Sequence, residues 1–287
     1  MEHIEIKAAV LDTETTGLKE PVPVEVAYID VSKLFEVPYI HRNPYSPFDK
    51  VFEYRKIFNP QKPIEFGAMA THHITNEYVQ GLDPYTAFEL PDVEYLIGHN
   101  IDFDWGVIKA CGEQPEPKRI CTLAIARYLY PEIDSHKLTA MLYALDLPYA
   151  ADHARHAHSA LDDVWMTYHL LKMMLPKTKA TNFDELYQFS EMARLPKVMT
   201  FGEHEGKEIK DIPYSYAQWL LGEEDIDPYL KKAIQQINYT EEQKTPKVMA
   251  FGKHKGCAIT DLPPDYKQWL LNKNDLDPYL RKALTAS

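Results

Sequence analysis

Cysteine is scarce in this chain of 287 residues, and no long apolar run occurs in it. Cys111, Cys121 and Cys257 are odd in number and widely spaced, which favours neither a disulfide framework nor a zinc site. They fit buried free thiols in a reducing compartment. The opening MEHIEIKAAVLD lacks the basic region, apolar core and cleavage site of a signal peptide. We therefore expect a cytoplasmic protein with no membrane partner.

Basic residues are also few. The chain has 31 lysines and arginines and 43 aspartates and glutamates, which gives a formal net charge of −12. This balance argues at first against a nucleic-acid partner. Global charge is nevertheless a poor guide for a protein that uses carboxylates to bind metals and contacts nucleic acid through a local strip. The only basic region is residues 246–287, with four acids and seven bases.

The first acidic motif is AAVLDTETTGL at residues 8–18, where an apolar run leads into Asp12 and Glu14. On an extended strand, side chains at i and i+2 share a face, so the two carboxylates project together from the end of the strand. Gly17 lets the backbone turn away directly afterwards. Hard oxygen donors in this arrangement predict a site for Mg²⁺ or Mn²⁺.

The second motif is LIGHNIDFD at residues 96–104, in which a short apolar strand is followed by the start of a helix. Asn100 and Asp102 are the expected capping residues of that helix. The motif ends in Asp104, a further acid with room to approach the first pair.

The third motif is HSALDDV at residues 158–164, which opens a stretch through Met174 with apolar residues at helical spacing. His158 and Asp163 lie about 500° apart around a helix, so His158 must lie on the loop or the first turn. A reacting water then fits between the imidazole ring and a metal bound by Asp163. Histidine, with an unperturbed pKa near ~6.5, can accept a proton from that water near neutral pH.

Together, the patterns DxExTG, HNxxFD and HxAxxD resemble the DEDDh branch of the DEDD 3′-to-5′ exonuclease superfamily, which is DnaQ-like and RNase H-like. Within that branch the sequence is most similar to the exodeoxyribonuclease X group. The resemblance extends to AMATHHIT at residues 68–75 and to RICTLAIARYLYP at residues 119–131. It covers roughly residues 8–220.

The resemblance implies an α/β fold over residues 1–178, with an RNase H-like mixed sheet flanked by helices. It also implies two divalent metals, Mg²⁺ or Mn²⁺, and hydrolysis at 3′ ends with release of nucleoside 5′-monophosphates. Two cations about 4 Å apart lower the pKa of the attacking water and neutralise charge on the leaving oxygen. Four acids packed without cations would raise one another's pKa values, which agrees with a metal site.

Carried over residue by residue, the resemblance implies that Asp12, Glu14 and Asp163 ligate the metal that activates water. Asp12 would also bridge to the second metal. Asp104 would hold that second ion, directly or through water. His158 matches the general base of the family.

Asp104 and Asp163 each have another aspartate nearby in the sequence, which could be the metal ligand instead. We favour Asp104 over Asp102 because it follows Phe103 as the motif requires. We favour Asp163 over Asp162 because of its spacing from the histidine.

A further set of residues is expected to position the substrate. The family holds the 3′-terminal nucleotide near the turn after the first acids, and His72 matches the histidine of the family pattern HxIT. The alternative for His72 is a histidine satisfied beside a helix. The substrate-binding candidates in this part of the chain are Thr13, Thr15, Thr16, Leu18, His72 and Asn100.

The sequence from Pro196 repeats from Pro246, as PKVMTFGEHEGKEIKDIPYSYAQWLLGEEDIDPYLKKAI and PKVMAFGKHKGCAITDLPPDYKQWLLNKNDLDPYLRKAL. Each copy reads as two short strands around a Gly-x-His-x-Gly turn, followed by two helices, which predicts tandem α+β (ββαα) modules. Exodeoxyribonuclease X-like proteins are expected to carry one such module. Trp219 and Trp269, which precede Leu-Leu on a helix, are predicted to be core residues, and base-stacking platforms are the alternative. The predicted boundaries are residues 196–240 and 246–287 for the modules and 179–195 for a linker, with a short helix near Phe183 to Ala193.

The two copies differ in the charge of the Gly-x-His-x-Gly turn. In the first copy, acids flank the histidine, whereas lysines flank it in the second. Two cations, an imidazole and backbone N–H groups predict a phosphate contact, and a solvated turn is the alternative. The residues concerned are Glu203, His204 and Glu205 in the first copy and Lys253, His254 and Lys255 in the second.

The sequence thus predicts a divalent-metal-dependent 3′-5′ exodeoxyribonuclease whose partner is nucleic acid, namely DNA 3′ ends. The choice of DNA rests on the overall similarity, because nothing in the motifs discriminates a 2′-hydroxyl. Two alternatives stay open. One is a 3′-5′ exoribonuclease of the same superfamily, and the other is a proofreading or DNA-repair subunit whose C-terminal repeats bind a protein partner.

Overall fold

A computed structural model of the protein describes residues 6–36, 51–112, 114 and 116–286. The chain forms two compact units, Met1–Arg194 and Leu195–Ser287. Within the described ranges, no helix is both long and apolar enough to cross a membrane. Cys111 and Cys121 are buried free thiols, as expected, whereas Cys257 is exposed because it lies at a surface turn.

The first unit is built on a mixed five-stranded sheet in the order β3-β2-β1-β4-β5. β1 pairs antiparallel with β2, and β2 antiparallel with β3. β4 joins the other side of β1 in parallel and pairs in parallel with β5. This is the RNase H-like mixed sheet that the resemblance implied. The strands are β1 (Ala8–Thr15), β2 (Pro23–Asp30), β3 (Glu53–Ile57), β4 (Tyr95–Gly98) and β5 (Lys118–Cys121).

Helices cover both faces of this sheet. Apolar residues at helical spacing, as in the long α6, give each helix one face to bury against the strands. The helices of the first unit are α1 (Phe66–His72), α2 (Ile101–Lys109), α3 (Thr122–Leu129), α4 (Leu138–Leu145), α5 (Leu147–His153), α6 (Ala160–Thr178) and α7 (Phe183–Ala193).

Alternation along β1 divides the core into two layers. Ala8 and Val10 belong to the cluster that contains Val164 and Leu170 of α6. The alternate residues Ala9 and Leu11 belong to the cluster that contains residues of α2. Successive side chains of a strand point to opposite faces, so β1 supplies both layers while staying fully buried. The continuation of β1 therefore presents its polar residues alternately to α6 and to α2.

The position of the site follows from a mismatch in strand length. β4 pairs with β1 only at Ala8, Ala9 and Val10, whereas β1 continues to Thr15. Beyond Val10, no strand of the described ranges lies along this edge of β1, which leaves space next to Asp12. β2 continues along the other edge and keeps this half of β1 extended.

The helix predicted near Phe183 to Ala193 forms with those bounds, as α7. The side chain of Asn182 caps it by accepting a hydrogen bond from the N–H of Glu185. Ser190 is fully buried, and its Oγ accepts a hydrogen bond from the N–H of Cys121 at 2.8 Å. The first compact unit therefore includes α7 and runs to Arg194, past residue 178.

The second unit contains both copies of the repeat, and each copy has its own hydrophobic core. The strands predicted for each copy shorten to one bridge, Val198↔Glu208 in the first and Val248↔Ala258 in the second. The glycine turn returns the chain at once, and a 3₁₀ turn follows each bridge, so no ladder can extend. The two helices per copy form as predicted. The helices are α8 (Tyr214–Gly222), α9 (Pro228–Gln235), α11 (Pro264–Leu271) and α12 (Pro278–Ala286), with a short α10 (Glu241–Lys244) between the copies.

The prediction that the tryptophans of the repeats belong to the core is wrong. Trp219 and Trp269 are 52% and 54% exposed, whereas the neighbouring Leu220 and Leu270 are fully buried. Each helix presents to its core the face that carries this leucine, and the preceding residue lies about 100° away around the helix. The tryptophan rings therefore remain on the surface.

Candidate active site

Asp12 and Glu14 lie on the part of β1 that continues past β4. They follow Ala8 and Val10 at the same alternation, so they share the face of the sheet that α6 covers. Thr13, between them, lies on the opposite face, which α2 covers. The predicted pairing of the two carboxylates is therefore a consequence of strand geometry.

Asp104 reaches the cluster from α2 and is held by Thr13. Its Oδ1 accepts hydrogen bonds from the N–H of Thr13 at 3.1 Å and from the Thr13 hydroxyl at 2.8 Å. The Asp104 side chain is 4% exposed. Thr13 is among the predicted substrate-binding residues, but its hydroxyl is directed to a carboxylate. The residue between the first two acids thus positions the third.

Asp163 reaches the cluster from the first turns of α6, on the opposite side of the sheet. Its Oδ2 accepts a hydrogen bond from the backbone N–H of His158 at 3.4 Å. Its Oδ1 is buried and has no hydrogen-bond partner among the described residues. Ligand atoms of Glu14, His158 and Asp163 all lie within 4.8 Å of one another.

His158 lies on the loop just before α6, as its spacing from Asp163 predicted. Its φ of 75° is in the left-handed region, which is unusual for a residue other than glycine. This turn lets the backbone N–H face Asp163 while the ring stays exposed beside the cleft. Such local strain is common where a side chain must be aimed at a site.

Burial and mutual repulsion perturb all four acids. Burial, followed by repulsion from the other acids, raises the pKa of Asp12 well above its usual value and the pKa of Glu14 to about 8. Burial also raises the pKa of Asp104 to about 7 against the lowering effect of the Thr13 hydrogen bonds. The pKa of Asp163 rises to about 7, mainly through burial. Positive charge bound among these carboxylates would therefore stabilise their ionised forms.

The neighbouring acids lie in different surroundings. Asp102 forms ion pairs with Arg119, at 2.9 Å, and with Arg194, so its carboxylate is already engaged. It does not cap α2, and neither does the side chain of Asn100, because that helix has no side-chain cap. Asp162 is exposed on α6. The geometry thus separates Asp104 and Asp163 from the acids beside them.

An acid outside the motifs, Glu25, lies against the same cluster. Glu25 on β2 pairs in register with Glu14 on β1, and its side chain is 1% exposed. Its Oε1 accepts a hydrogen bond from Arg55 Nε on β3 at 2.5 Å, and its Oε2 accepts one from the N–H of Ala160 at 3.0 Å. Glu25 therefore links β2 and β3 to the first turn of α6, at a residue three positions before Asp163. Its one sequence signal is a lone acid inside the apolar run PVEVAYI.

A cleft of about 650 Å³ opens beside His158 and Asp163. Arg127 and Lys137 line it and are exposed, and neither belongs to the predicted site. These basic side chains are suited to binding phosphate groups, because they donate hydrogen bonds and supply positive charge. Sequence reasoning missed them because isolated basic residues in a helix and a loop carry no motif.

His99 organises the wall of this cleft. Its Nε2 lies 2.8 Å from the carbonyl oxygen of His136, and its Nδ1 lies 3.0 Å from the hydroxyl of Thr122. A neutral ring that donates from Nε2 and accepts at Nδ1 satisfies both contacts. Burial lowers the pKa of His99 to about 4, so the ring stays neutral. The end of β4 is thus fastened to the segment that precedes α4.

The remaining predicted substrate residues divide into buried and exposed groups. Thr16 is 2% exposed and pairs with Val22, and Thr15 Oγ1 donates to the carbonyl of Gly17. Leu18, by contrast, is 83% exposed, and Asn100 is exposed with a left-handed φ of 79°. Of these four residues, Leu18 and Asn100 have exposed side chains.

His72 is buried and satisfied on both ring nitrogens. Its Nδ1 accepts a hydrogen bond from the N–H of Ile74 at 3.0 Å, so Nε2 carries the proton and faces the carbonyl of Thr15 at 3.2 Å. Burial lowers its pKa, which keeps this tautomer neutral. His72 therefore supports the turn after the first acids, in line with the alternative reading of the sequence.

The donor set fits a hard divalent cation. Asp12, Glu14, Asp104 and Asp163 contribute only oxygen atoms, which Mg²⁺ and Mn²⁺ prefer. The unpartnered buried Oδ1 of Asp163 is the kind of atom that a cation would satisfy. The raised pKa values point in the same direction, because bound positive charge would reverse the repulsion.

Comparison with known proteins places this geometry in a family. Residues 9–171 match the family model RNase_T, described as Exonuclease. The DNA polymerase III PolC-type protein of Latilactobacillus sakei subsp. sakei (strain 23K) is 28% identical over 187 residues, which cover 61% of this chain and 12% of that protein. The 3′-5′ exonuclease DinG of Bacillus subtilis (strain 168) is 27% identical over 153 residues, 49% of this chain and 16% of that protein.

The chain thus spans a small part, 12% and 16%, of the length of these two relatives. Among solved structures, Exonuclease X in complex with 5′ overhanging duplex DNA is similar with a TM-score of 0.48 and 26% identity, over 64% of this chain and 99% of that chain. The family model covers residues 9–171, more than half of the chain, and includes all three motifs. The protein belongs to the exonuclease family, which its acidic motifs resemble.

Proposed function

We propose that the protein is a divalent-metal-dependent 3′-5′ exonuclease that hydrolyses phosphodiester bonds at DNA 3′ ends and releases nucleoside 5′-monophosphates. The observation that carries this proposal is the convergence of ligand atoms of Glu14, His158 and Asp163 within 4.8 Å of one another, beside Asp12 and Asp104, whose pKa values burial raises. A cluster of this kind without counter-charge costs folding free energy, which supports a role in binding cations.

Asp12, Glu14, Asp104 and Asp163 would hold two ions, Mg²⁺ or Mn²⁺. When bound, these ions supply an acidified water and neutralise negative charge on the leaving oxygen. Thr13 would fix the rotamer of Asp104 through its two hydrogen bonds. A ligand held in this way loses less conformational freedom when a cation binds.

His158 would take the proton from the attacking water. Support comes from its position, because one of its ring nitrogens lies within 4.8 Å of a carboxylate oxygen of Glu14 and of Asp163, and its ring is exposed beside the cleft. The backbone N–H of the same residue holds Asp163. Proton acceptance by the ring and orientation of the carboxylate would therefore depend on one loop conformation.

Substrate would be held by residues around the cluster. Arg127 and Lys137 would contact phosphates in the cleft that His158 also lines. The exposed Leu18 would pack against the terminal base, and Asn100 would donate hydrogen bonds to the terminal nucleotide. These contacts fix position rather than sequence, which suits an enzyme that removes any nucleotide from a chain end.

Polarity and the choice of DNA rest on the family and on relatives. DinG is named as a 3′-5′ exonuclease, and the PolC-type protein is named as a DNA polymerase. The two relatives match 61% and 49% of this chain, so their names support the proposal for the matched part of the chain.

A polarity assay on labelled strands tests the proposal. Single-stranded and duplex DNA, each labelled at the 5′ or the 3′ end, would be incubated with Mg²⁺ or with EDTA beside RNA of the same sequence. We expect a ladder of shortened products from the 5′-labelled strand and immediate release of mononucleotide from the 3′-labelled strand, in Mg²⁺ only. The reverse pattern would contradict the polarity, and faster hydrolysis of RNA would favour the exoribonuclease alternative.

A further inference from the structure

The two copies of the repeat carry the same pair of aromatic rings on their surfaces. In the first copy, the ring centroids of Tyr216 and Trp219 are 5.3 Å apart. In the second, those of Tyr266 and Trp269 are 5.4 Å apart, with an angle of 26° between the ring planes. Trp269 is 54% exposed although it is the largest side chain of its copy. An exposed aromatic of this size, supported by a second ring, is typical of a surface that binds a flat partner.

The glycine turn of the second copy holds this pair in place. Gly252 has a φ of +74°, and a Cβ atom at this position would lie 2.8 Å from the hydroxyl oxygen of Tyr266. The ring of His254 packs on Tyr266 at 4.5 Å between centroids. Tyr266 is therefore fixed between the turn and Trp269. The tryptophan is presented on a preorganised support, so little conformational entropy is lost when a partner binds.

Charge distinguishes the two copies around this common pair. At four positions the second copy has lysine where the first has an acid or alanine. Lys273 brings its Nζ to 4.4 Å from the ring centroid of Trp269, and its flexible stem can move aside while the ammonium stays nearby. The replacements are Glu203 to Lys253, Glu205 to Lys255, Ala217 to Lys267 and Glu223 to Lys273.

We propose that the second copy binds single-stranded nucleic acid through an aromatic–lysine surface formed by Tyr266, Trp269, Lys253, Lys255 and Lys273. A base stacks on Trp269, and the adjoining phosphates contact the lysines. Stacking accepts every base, and phosphate contacts are independent of sequence, so the surface suits a strand of any composition. On this proposal the Lys253–Lys255 turn binds phosphate, and the principal contact of the surface is the stacking of a base on Trp269.

The first copy supplies an internal comparison. It has the same rings and the same histidine, but Glu203, Glu205 and Glu223 occupy the positions of the three lysines and would repel phosphate. The combination of stacking and cations therefore occurs in the second copy. Binding at this surface does not require hydrolysis. Its use in holding substrate rests on the proposed function, whereas its affinity for a strand does not.

Stacking is tested by fluorescence anisotropy with a labelled single-stranded oligodeoxynucleotide and the full chain in EDTA, where no hydrolysis occurs. We expect Trp269→Ala to weaken binding about tenfold. The matched variant Trp219→Ala, which removes the equivalent exposed ring of the first copy, should leave affinity unchanged. Trp269→Phe keeps a ring and should retain more affinity than Trp269→Ala. Equal affinities for all three variants and the unaltered chain would overturn the proposal and favour a protein partner.

The charge of the surface is tested by the dependence of affinity on salt. Lys253→Glu combined with Lys255→Glu should lower the slope of log affinity against log salt by about 1.4, as expected for two lost phosphate contacts on a single strand. Lys207→Glu combined with Lys210→Glu makes the same change in net charge in the first copy. An equal change of slope in both double variants would show a general effect of charge and contradict a defined surface.

The same measurement with an oligoribonucleotide of the same sequence distinguishes binding of single-stranded DNA from binding of single-stranded RNA. Dependence on Trp269 with DNA, with RNA or with both supports the surface, and dependence with neither overturns it. Circular dichroism and thermal unfolding of each variant report on folding, and Trp269 is exposed enough for its removal to leave the core intact. Because EDTA removes the metal that hydrolysis requires, this test measures binding alone. A failed binding test would therefore not contradict the proposed exonuclease activity. A nuclease-inactive chain would equally leave this binding unchanged.

Discussion

Glu25 and Ala160, 135 positions apart in the chain, are joined by a hydrogen bond of 3.0 Å from the Ala160 N–H to the Glu25 carboxylate. The same carboxylate pairs with Arg55 and lies beside the four acids of the candidate site. The bond connects β2 to the first turn of α6, the helix that carries Asp163. An acid outside all three motifs thus helps to set the distance between the two halves of the site.

Arg55→Met should destabilise the protein because it leaves the buried Glu25 without its counter-charge. Arg55 is half exposed, so we expect a loss of about 2 kcal/mol in the free energy of unfolding rather than the larger cost of a fully buried pair. Glu25→Gln keeps an acceptor for Ala160 and should rescue much of that loss in the double variant. Urea denaturation in EDTA measures these values.

A matched control lies next to Arg55 on β3. Lys56 pairs with Asp83 on the surface, with both side chains exposed, so Lys56→Met should cost less than about 1 kcal/mol. Additive losses from Arg55→Met and Glu25→Gln, with no rescue, would show that the two side chains do not stabilise each other.

Thr13→Val should raise the Mg²⁺ concentration that supports half-maximal activity about tenfold to a hundredfold. The variant removes the hydroxyl that donates to Asp104 while it keeps the shape of the side chain. Thr13→Ser restores the hydroxyl and should restore the metal requirement. A rise in KM for the oligonucleotide without a change in the metal requirement would instead indicate that Thr13 binds substrate.

His158→Ala should lower turnover by about 10² to 10⁴ while oligonucleotide affinity stays the same, because the ring accepts a proton and does not hold the substrate. Single-turnover kinetics with separate binding measurements distinguish the two effects. His153→Gln, in the preceding helix, is the comparison, since its ring packs on Tyr149. Comparable losses from both histidine variants would point to disruption of the loop rather than to proton transfer.

Metal-free protein should become less stable as the pH rises from 6.5 to 8. Burial raises the pKa of Glu14 to about 8 and those of Asp104 and Asp163 to about 7. In this window the folded state holds protons that the unfolded state has released, so raising the pH favours unfolding. Saturating Mg²⁺ should abolish this trend, because the cation favours the charged carboxylates.

Thermal unfolding in EDTA and in Mg²⁺ across this window checks the linkage. Below pH 6.5 the buried His99 acts in the opposite direction, since burial lowers its pKa to about 4 and acid favours its exposure. A melting temperature that rises with pH in EDTA between 6.5 and 8 would contradict the raised pKa values.

Local patterns were sufficient to predict the parts of the site that rest on local geometry. Alternation along a strand brings Asp12 and Glu14 together, and helical spacing leaves His158 on the loop before α6. The helix predicted near Phe183 to Ala193 follows a polar run, and Asn182 at the end of that run caps it locally. These features depend on few neighbours, so a single sequence contains them.

The features that the sequence did not predict depend on contacts between residues far apart in the chain or on how elements pack together. Glu25 reads as an ordinary strand residue until the register with Glu14 and the approach of α6 are known. The exposure of Trp269 depends on which face of α11 packs against its core. The short bridges of the repeats depend on where each glycine turn returns the chain. None of these follows from composition or spacing.

The most direct measurement compares Asp163→Asn with Asp162→Asn, adjacent aspartates on α6 that differ in position relative to the cluster. Release of mononucleotide from 3′-labelled DNA in Mg²⁺ and the affinity for Mn²⁺ would be measured for both variants. We predict that Asp163→Asn abolishes hydrolysis and weakens Mn²⁺ binding, and that Asp162→Asn, an exposed side chain, changes neither by more than about twofold. Robust hydrolysis by Asp163→Asn, or equal losses in both variants, would contradict a metal-dependent site built from these four acids.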